Sequence, residues 1–333
     1  MKLKDDRRIE MEIPKETMKK LYEFLLKSRL VEEKLLEINA RGEMVGFVHS
    51  CIGQEAIPVG ATWHLKKGDA WNCARGHIQS NIVLGMDLGR MFSEFFGKKT
   101  GYCGGIGGKV HLCCPDIGNM GFRGIQGAYF PLCCGTALSQ KMRKTDNVTM
   151  CFFGDGVTSQ GLFAEALNLS SLYKLPLVFV CANNQYSMHT HFREETVTEN
   201  IADRAIPYKM PGIIVDGNDL QEVYAVVGKA VADARNGLGP ALIEAKTMRM
   251  RGHLEGDQQI YRPEKEKEIE DWSNKDPLVR FTKTVIEHGI LDQRQIEDYK
   301  KQFQTEIDKA VKFAKEAPHP SPEDMMKNVF CES

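Results

Sequence analysis

The sequence lacks several features that would indicate a membrane, nucleic-acid-binding or nucleotide-binding protein. No apolar stretch approaches about 18 residues, and residues 1–10 alternate charges without an apolar core, so we expect neither a membrane span nor a signal peptide. The formal net charge of −1 gives no electrostatic reason to bind nucleic acid. No Gly-x-x-x-x-Gly-Lys-Ser/Thr phosphate loop is present. A chain of 333 residues, 42% apolar, is the size of a globular enzyme.

The ten cysteines do not follow a metal-binding or disulfide pattern. They include two adjacent pairs, Cys113-Cys114 and Cys133-Cys134, and no Cys-x-x-Cys motif. We therefore expect neither a zinc site nor a disulfide framework, but reduced and mostly buried thiols in a cytoplasmic protein.

The pattern of apolar residues predicts an α/β fold with a doubly wound, mostly parallel sheet and additional N- and C-terminal helices. No low-complexity linker divides the chain, so we expect one domain over 1–333, with an N-terminal helical extension at 1–45 and C-terminal helices and a tail at 264–333. The ten glycines between residues 97 and 127 predict a long loop that orders on binding, and residues 247–262 predict a second loop. Predicted strands are 70–74, 148–153, 176–181, 212–215 and 241–245; predicted helices are 16–40, 54–65, 79–84, 87–96, 131–144, 220–235, 264–272, 277–288 and 293–315.

Two polar clusters follow neighbouring predicted strands. Gly154-Asp155-Gly156 ends the apolar run 148–153, and Asn183-Asn184-Gln185-Tyr186 ends the run 176–181. A helical pattern between them makes a strand-helix-strand unit with a right-handed crossover. Because such units bind ligands at the carboxyl ends of their strands, both clusters are expected at one binding site.

The residue types in these clusters suit a divalent cation that holds a diphosphate. Asp155 offers a carboxylate, Asn184 an amide oxygen and Tyr186 a backbone carbonyl, which are the hard ligands that Mg²⁺ prefers. Gly154 and Gly156 allow the backbone to approach the ligand closely. A helix opening near residues 157–159 would point free N–H groups at the same anion.

The two clusters, 29 residues apart from Asp155 to Asn184, resemble the thiamine-diphosphate motif. Together with their neighbours they resemble the alpha subunits of the two-subunit 2-oxo acid dehydrogenases, which include pyruvate, branched-chain and acetoin dehydrogenases. The loop Gly252-His253-Leu254-Glu255-Gly256-Asp257 is most similar to that of the acetoin type. The resemblance spans about residues 47–280 and also rests on Gly53-Gln54-Glu55-Ala56, Arg75-Gly76-His77, the glycine-rich residues 104–111 and Arg251-Gly252-His253.

This resemblance implies thiamine diphosphate and Mg²⁺ as cofactors and assigns residues to them. Asp155, Asn184 and Tyr186 would bind the metal. The cofactor itself would contact Arg75, through a bidentate guanidinium, and the backbone of Gly124, Gln126, Gly156 and Val157. Two positions depart from the family pattern. Ala74 replaces a ring-bearing or polar residue, and Gln126 replaces a small aliphatic one.

Three histidines are candidate catalytic residues by the same resemblance. His253 would reach the thiazolium of the cofactor and guide the acyl group, and His49 would face the carboxylate of a 2-oxo acid. His77 is a weaker third candidate. Leu254 stands where mitochondrial relatives often carry a phosphorylatable serine, so control by phosphorylation at that site is excluded.

The resemblance also implies partners. A glutamate that activates the cofactor would come from a separate beta subunit, which predicts an α₂β₂ assembly. The expected reaction is carbon–carbon cleavage of acetoin or a 2-oxo acid, followed by transfer of the acyl unit to the lipoamide of an acyltransferase partner.

Two alternatives stay open from the sequence. A nucleotide or dinucleotide binder could also use glycine-rich turns over a parallel sheet, although residues 104–108 precede no clean helix. A relative that retains the cofactor but serves another role is the second alternative. Its motivation is Ala74, Gln126, Lys109 and the cysteine pairs, which fall near the expected mouth of the cofactor site.

Overall fold

The structure, a computed structural model, describes residues 13–44, 46–73, 77–122 and 124–327. Its strands are β1 Ala70–Cys73, β2 Asn119–Phe122, β3 Thr149–Gly154, β4 Leu177–Asn183, β5 Tyr186–Ser187, β6 Thr190–His191, β7 Gly212–Asp216 and β8 Ala241–Lys246. Its α-helices are α1 Lys15–Ala40, α2 Ala56–Thr62, α3 Ile78–Val83, α4 Leu88–Phe95, α5 Tyr129–Met142, α6 Gly161–Leu172, α7 Phe192–Glu195, α8 Leu220–Arg235, α9 Lys265–Ser273, α10 Pro277–Glu287, α11 Gln293–Glu316 and α12 Pro322–Met326.

Six of the strands form one parallel sheet in the order β2-β1-β3-β4-β8-β7. The chain leaves β1 toward β2 on one side and then returns across β1 to β3 on the other. The winding therefore reverses between β1 and β3, and doubly wound sheets bind their ligands at the carboxyl ends of the strands at such a point. The predicted α/β fold is therefore confirmed.

Both faces of the sheet are covered, which explains the unbroken apolar runs of its central strands. Side chains alternate between two cores along β3, so that Met150 and Phe152 join one core while Cys151 and Phe153 join the other. The first core also contains residues of α1–α4, α8, α10 and α11, and the second contains residues of α5 and α6.

The N- and C-terminal helices pack against each other and against the sheet layer. Helix α1 contacts α3, α10 and α11, and α11 contacts α4. Arg29 on α1 pairs with the buried Glu55 and with Asp276 at 2.9 Å. Among the described residues, none of the helices combines the length and the apolarity that a bilayer crossing requires.

One structural prediction was wrong. The glycine-rich segment 97–127 is not all loop, because it contains the 3-10 helix Pro115–Ile117 and strand β2. Strand β2 is only four residues long and includes a glycine, so its local sequence gives little strand signal. Its pairing with β1, which lies more than 40 residues earlier, sets its conformation.

Other boundaries differ less. Helix α2 is shorter than the predicted 54–65, and α6 begins only at Gly161, because the 3-10 helix Asp155–Ser159 precedes it. The hairpin of β5 and β6, helix α7 and the 3-10 helix Ala202–Tyr208 were not predicted. Ala74, at the predicted end of β1, lies outside the described residues.

Two half-buried histidines, His64 and His77, should make the fold sensitive to acid. Burial lowers the pKa of His64, whose Nε2 donates to the Tyr224 carbonyl at 2.8 Å, to about 4. Burial, followed by the positive charge of Lys109, lowers the pKa of His77 to about 4 as well. Both values lie below the unfolded pKa of about 6.5, so the unfolded chain binds more protons as the pH falls.

Stability should therefore fall on acidification, with each histidine contributing a loss of about 2 kcal/mol between pH 7 and pH 5. We expect the free energy of unfolding of His64→Gln, measured in urea, to fall by about 2 kcal/mol less between pH 7 and pH 5 than that of the wild type. A variant whose stability falls as steeply as that of the wild type would contradict this assignment.

Candidate active site

Asp155 is a buried carboxylate directly after β3. Asp155 is only 2% exposed, and its Oδ2 has no hydrogen-bond partner in the described part of the chain. Burial, partly offset by a backbone hydrogen bond and reinforced by Glu195, raises the pKa of Asp155 to about 7. An uncompensated buried carboxylate is costly, so this position fits a bound cation.

Asn184 and the Tyr186 carbonyl lie at the same edge of the sheet. Strands β3 and β4 are parallel and pair through Gly154 and Ala182, so Asp155, directly after β3, and Asn184, directly after β4, lie at the same edge of the sheet. Asn184 Nδ2 donates to Gln54 Oε1 at 3.1 Å, which leaves Oδ1 as the oxygen facing the turn. The turn passes through Gln185 at a φ of 71°. The three predicted metal ligands thus follow adjacent strands at one edge of the sheet, and their ligation of a metal stays a prediction.

Sequence reasoning missed a second carboxylate at this edge, that of Glu195 on α7. Its Oε2 is also buried without a hydrogen-bond partner in the described chain, and burial raises its pKa. No three His, Cys, Asp or Glu side chains of the described residues converge on a possible metal position. A divalent site here therefore requires amide and carbonyl oxygens in addition to carboxylates, as Mg²⁺ sites commonly do.

Gly156 marks a close approach between the Gly-Asp-Gly turn and the hairpin of β5 and β6. A Cβ atom at Gly156 would lie 2.0 Å from Ser187 Oγ and 2.4 Å from Ser187 Cβ. A glycine is therefore required for the hairpin to pack over the turn. The close approach of this backbone to a ligand, which we expect from the sequence, stays a prediction.

We expect Gly156→Ala to destabilise the fold by about 1–3 kcal/mol, because Ser187 and the hairpin must shift. Adding Ser187→Gly removes both clashing atoms and should restore most of that loss. Urea unfolding of the two single variants and the double variant measures the coupling. Additive losses in the double variant would contradict the close approach.

A cavity of about 460 Å³ lies next to these residues. Its lining joins two of the predicted catalytic histidines, His49 and His253, whose ring centroids are 5.0 Å apart. The rest of the lining is mainly apolar. The lining residues are Phe47, His49, Val110, Gly124, Met188, His189, His253, Leu254, Gly256 and Asp257.

The hydrogen bonds of His49 and His253 hold the two imidazoles in opposite tautomers. His49 Nδ1 lies 2.6 Å from the His253 carbonyl, which can only accept, so this Nδ1 carries the proton. His253 Nδ1 lies 3.3 Å from Arg249 Nη1, which can only donate, so His253 carries its proton on Nε2. When neutral, the pair thus combines a basic Nε2 on His49 with an Nε2–H on His253.

Arg249 is a further residue that sequence reasoning missed. It is 5% exposed and donates hydrogen bonds to the Met188 carbonyl and the Tyr261 hydroxyl, both at 2.7 Å, and to the Tyr186 carbonyl at 3.4 Å. Its position four residues before His253, in the predicted loop after β8, was the available signal. A buried guanidinium with these partners fixes the loop, the hairpin and the His253 ring relative to one another.

The remaining predicted site residues are not all brought to the cavity. Gly124 lines it, whereas the half-buried Gln126 and the buried Val157 do not. The His77 ring packs against the Phe152 ring, with centroids 5.0 Å apart, and His77 does not line the cavity. Arg75 lies outside the described residues. The roles of all these residues stay predictions.

Comparison with known proteins assigns the family. The family model described as "Dehydrogenase E1 component" matches residues 22–323. The chain belongs to the dehydrogenase E1 component family. This family depends on thiamine diphosphate, so the resemblance inferred from the sequence is confirmed.

Among its E1 relatives is the alpha subunit of an acetoin:2,6-dichlorophenolindophenol oxidoreductase from Bacillus subtilis (strain 168). It is 41% identical over 311 residues, which cover 93% of this chain and 92% of the relative. The same-named subunit of Cupriavidus necator is 39% identical over 96% of this chain and 95% of its own length. The pyruvate dehydrogenase E1 alpha subunit of Porphyra purpurea is 34% identical over 94% and 92%, respectively.

Proposed function

We propose that this chain is the alpha subunit of an acetoin-cleaving, thiamine-diphosphate-dependent dehydrogenase. The observation that carries the proposal is the buried Oδ2 of Asp155, which has no hydrogen-bond partner among the described residues and lies at the carboxyl end of β3, at the same edge of the sheet as Asn184 after β4. The family supplies the cofactor class, and this carboxylate supplies the place for its counter-ion. Pyruvate or a branched-chain 2-oxo acid is the alternative substrate within the same reaction class.

In this proposal, Asp155, Asn184 Oδ1 and the Tyr186 carbonyl bind Mg²⁺, which neutralises the diphosphate of the cofactor. The backbone N–H groups of Gly156 and Val157, at the start of a 3-10 helix, face the same anion. When bound, thiamine diphosphate supplies a nucleophilic carbon and an electron sink for carbon–carbon cleavage.

The two histidines of the cavity hold complementary protons for that reaction. His49 Nε2 can accept a proton from a substrate hydroxyl, and His253 Nε2–H can donate to a substrate carbonyl oxygen. Their Nδ1 atoms are occupied by the His253 carbonyl and by Arg249, respectively, which keeps the two roles distinct. Phe47, Val110 and Leu254 give this side of the cavity an apolar lining.

Three observations support acetoin over a 2-oxo acid. The two acetoin oxidoreductase subunits named above are more similar to this chain than the pyruvate dehydrogenase subunit is. The loop after His253 has the acetoin-type sequence. Of the described residues that line the cavity, only Asp257 carries a formal charge, so the lining itself offers no cation to an anionic substrate.

We further propose that the chain works with a beta subunit in an α₂β₂ assembly, in which the partner supplies the activating glutamate. The outward face of α6 supports a protein partner, because Leu162, Leu169 and Leu172 are 36%, 39% and 71% exposed there. A lipoyl acyltransferase is the proposed acceptor of the acyl group. We place the complex in the cytoplasm, a reducing compartment in which free thiols persist.

A thermal-shift comparison tests the cofactor assignment. Thiamine diphosphate with Mg²⁺ should stabilise the protein, and NAD or ATP should not. Stabilisation by the nucleotides alone would favour a nucleotide-binding protein instead.

Turnover tests the reaction. The complex with its beta subunit should reduce an artificial electron acceptor with acetoin, and more slowly or not at all with pyruvate and branched-chain 2-oxo acids. Cofactor binding without turnover of any of these substrates would favour a relative that serves another role.

A further inference from the structure

His189 lies in the turn of the hairpin formed by β5 and β6, and its side chain lines the cavity that His49 and His253 share. The hairpin follows the Asn184 turn directly and packs over Gly156. His189 is therefore attached to the same structural unit as the proposed metal ligands, yet it points to the neighbouring cavity.

The turn that carries His189 is held in an unusual conformation. Met188, the residue before it, has a φ of 52°, a left-handed value that costs a non-glycine residue about 1 kcal/mol or more. The Met188 carbonyl accepts a hydrogen bond from Arg249 Nη2 at 2.7 Å, and the Tyr186 carbonyl accepts one from Arg249 Nη1. A buried cation thus fixes the turn over the cavity.

The His189 ring itself is supported on one face. It packs against Tyr261 with ring centroids 4.7 Å apart and an interplanar angle of 35°. The Tyr261 hydroxyl accepts from Arg249 and donates to Asp257 Oδ2, both at 2.7 Å. Neither ring nitrogen of His189 hydrogen-bonds to the part of the chain that the structure describes, so both can serve a ligand.

We propose that His189 is a specificity-determining residue that hydrogen-bonds an oxygen of a small, uncharged hydroxyketone in this cavity. A hydroxyketone has a carbonyl, which needs a donor, and a hydroxyl, which needs both a donor and an acceptor. His253 Nε2–H and His49 Nε2 provide one donor and one acceptor, and His189 provides the third group. This inference rests on the proposed function and extends it to substrate recognition.

The test uses the complex with its beta subunit and compares wild type, His189→Ala and His189→Asn, with acetoin and pyruvate as probes. His288→Ala is the matched control, because His288 is an exposed histidine at the end of α10 and is not among the residues that line the cavity. In His189→Ala we expect the KM for acetoin to rise about tenfold, the size of one lost hydrogen bond. The kcat and the affinity for Mg²⁺ with thiamine diphosphate should stay within about twofold, and His189→Asn should recover part of the KM.

Two results would overturn the inference while the proposed function survives. One is wild-type turnover of acetoin with an unchanged KM in His189→Ala. The other is a fall in kcat together with a rise in KM and a weaker cofactor affinity, which would assign His189 a structural role. A wild-type complex that binds the cofactor but does not turn over acetoin would instead overturn the acetoin assignment, and the inference with it.

Discussion

Asp155→Asn should abolish the stabilisation of this protein by thiamine diphosphate with Mg²⁺. The substitution keeps the size of the side chain but removes the charge that a divalent cation requires. At a cofactor concentration about 100 times the dissociation constant, wild type should gain about 2.7 kcal/mol, and the variant close to nothing. Turnover of the complex should fall by about 1,000-fold or more, which corresponds to about 4 kcal/mol.

The same substitution should have the opposite effect on the protein without cofactor. Asp155 is 2% exposed and its Oδ2 lacks a hydrogen-bond partner in the described chain, so burial destabilises the charge of this carboxylate while no cation is bound. Removing it should raise the free energy of unfolding by about 1–2 kcal/mol at pH 8. Asp298→Asn, on the exposed face of α11, is the matched control and should change neither quantity. Loss of stability in Asp155→Asn, with a retained cofactor shift, would contradict the metal role.

His253→Ala is expected to lower the kcat of the complex by about 100-fold to 10,000-fold, the range for loss of a general acid or base. The cofactor-induced thermal shift should be largely retained, because His253 lines the cavity and is not itself one of the proposed metal ligands. Steady-state kinetics with acetoin and a thermal-shift titration on one preparation measure both quantities. His319→Ala removes an exposed histidine near the C-terminus and should leave both unchanged.

A wild-type kcat in His253→Ala would remove this histidine from the chemistry. Loss of the thermal shift together with kcat would instead indicate that His253 supports the fold of the loop. The second outcome has a physical basis in the contacts of this loop. The His253 backbone carbonyl accepts a hydrogen bond from His49 at 2.6 Å, and the His253 backbone amide donates one to Asp257 at 2.9 Å.

The position of the candidate site could be predicted from the sequence because its signals are local. Asp155 and Asn184 each follow an apolar run, and parallel strands bring the residues after such runs to one edge. The dependence on Gly156 was also readable, since two glycines flank an acidic residue. Lys109 is one of the residues that we expect from the sequence near the mouth of the cofactor site. It is buried, and its Nζ lies 2.6 Å from the His49 carbonyl oxygen.

The residues that were missed depend on long-range contacts. Arg249 binds the hairpin about 60 residues earlier in the chain, and His189 packs on Tyr261 about 70 residues later. Glu195 comes near Asp155 because α7 contacts both the hairpin and the 3-10 helix that begins at Asp155. A short strand such as β2 is likewise set by its partner strand, and no local pattern of apolar residues specifies any of these contacts.

The central claim is that Asp155, Asn184 and the Tyr186 carbonyl bind the divalent cation of the cofactor. A crystal structure of the complex with thiamine diphosphate and Mn²⁺ in place of Mg²⁺ tests it most directly, since Mn²⁺ gives an anomalous signal. We predict one anomalous peak per alpha subunit, about 2.1–2.3 Å from an oxygen of each of these three residues and from diphosphate oxygens. A peak ligated by other residues, or a cofactor bound without any metal at the ends of β3 and β4, would contradict the account.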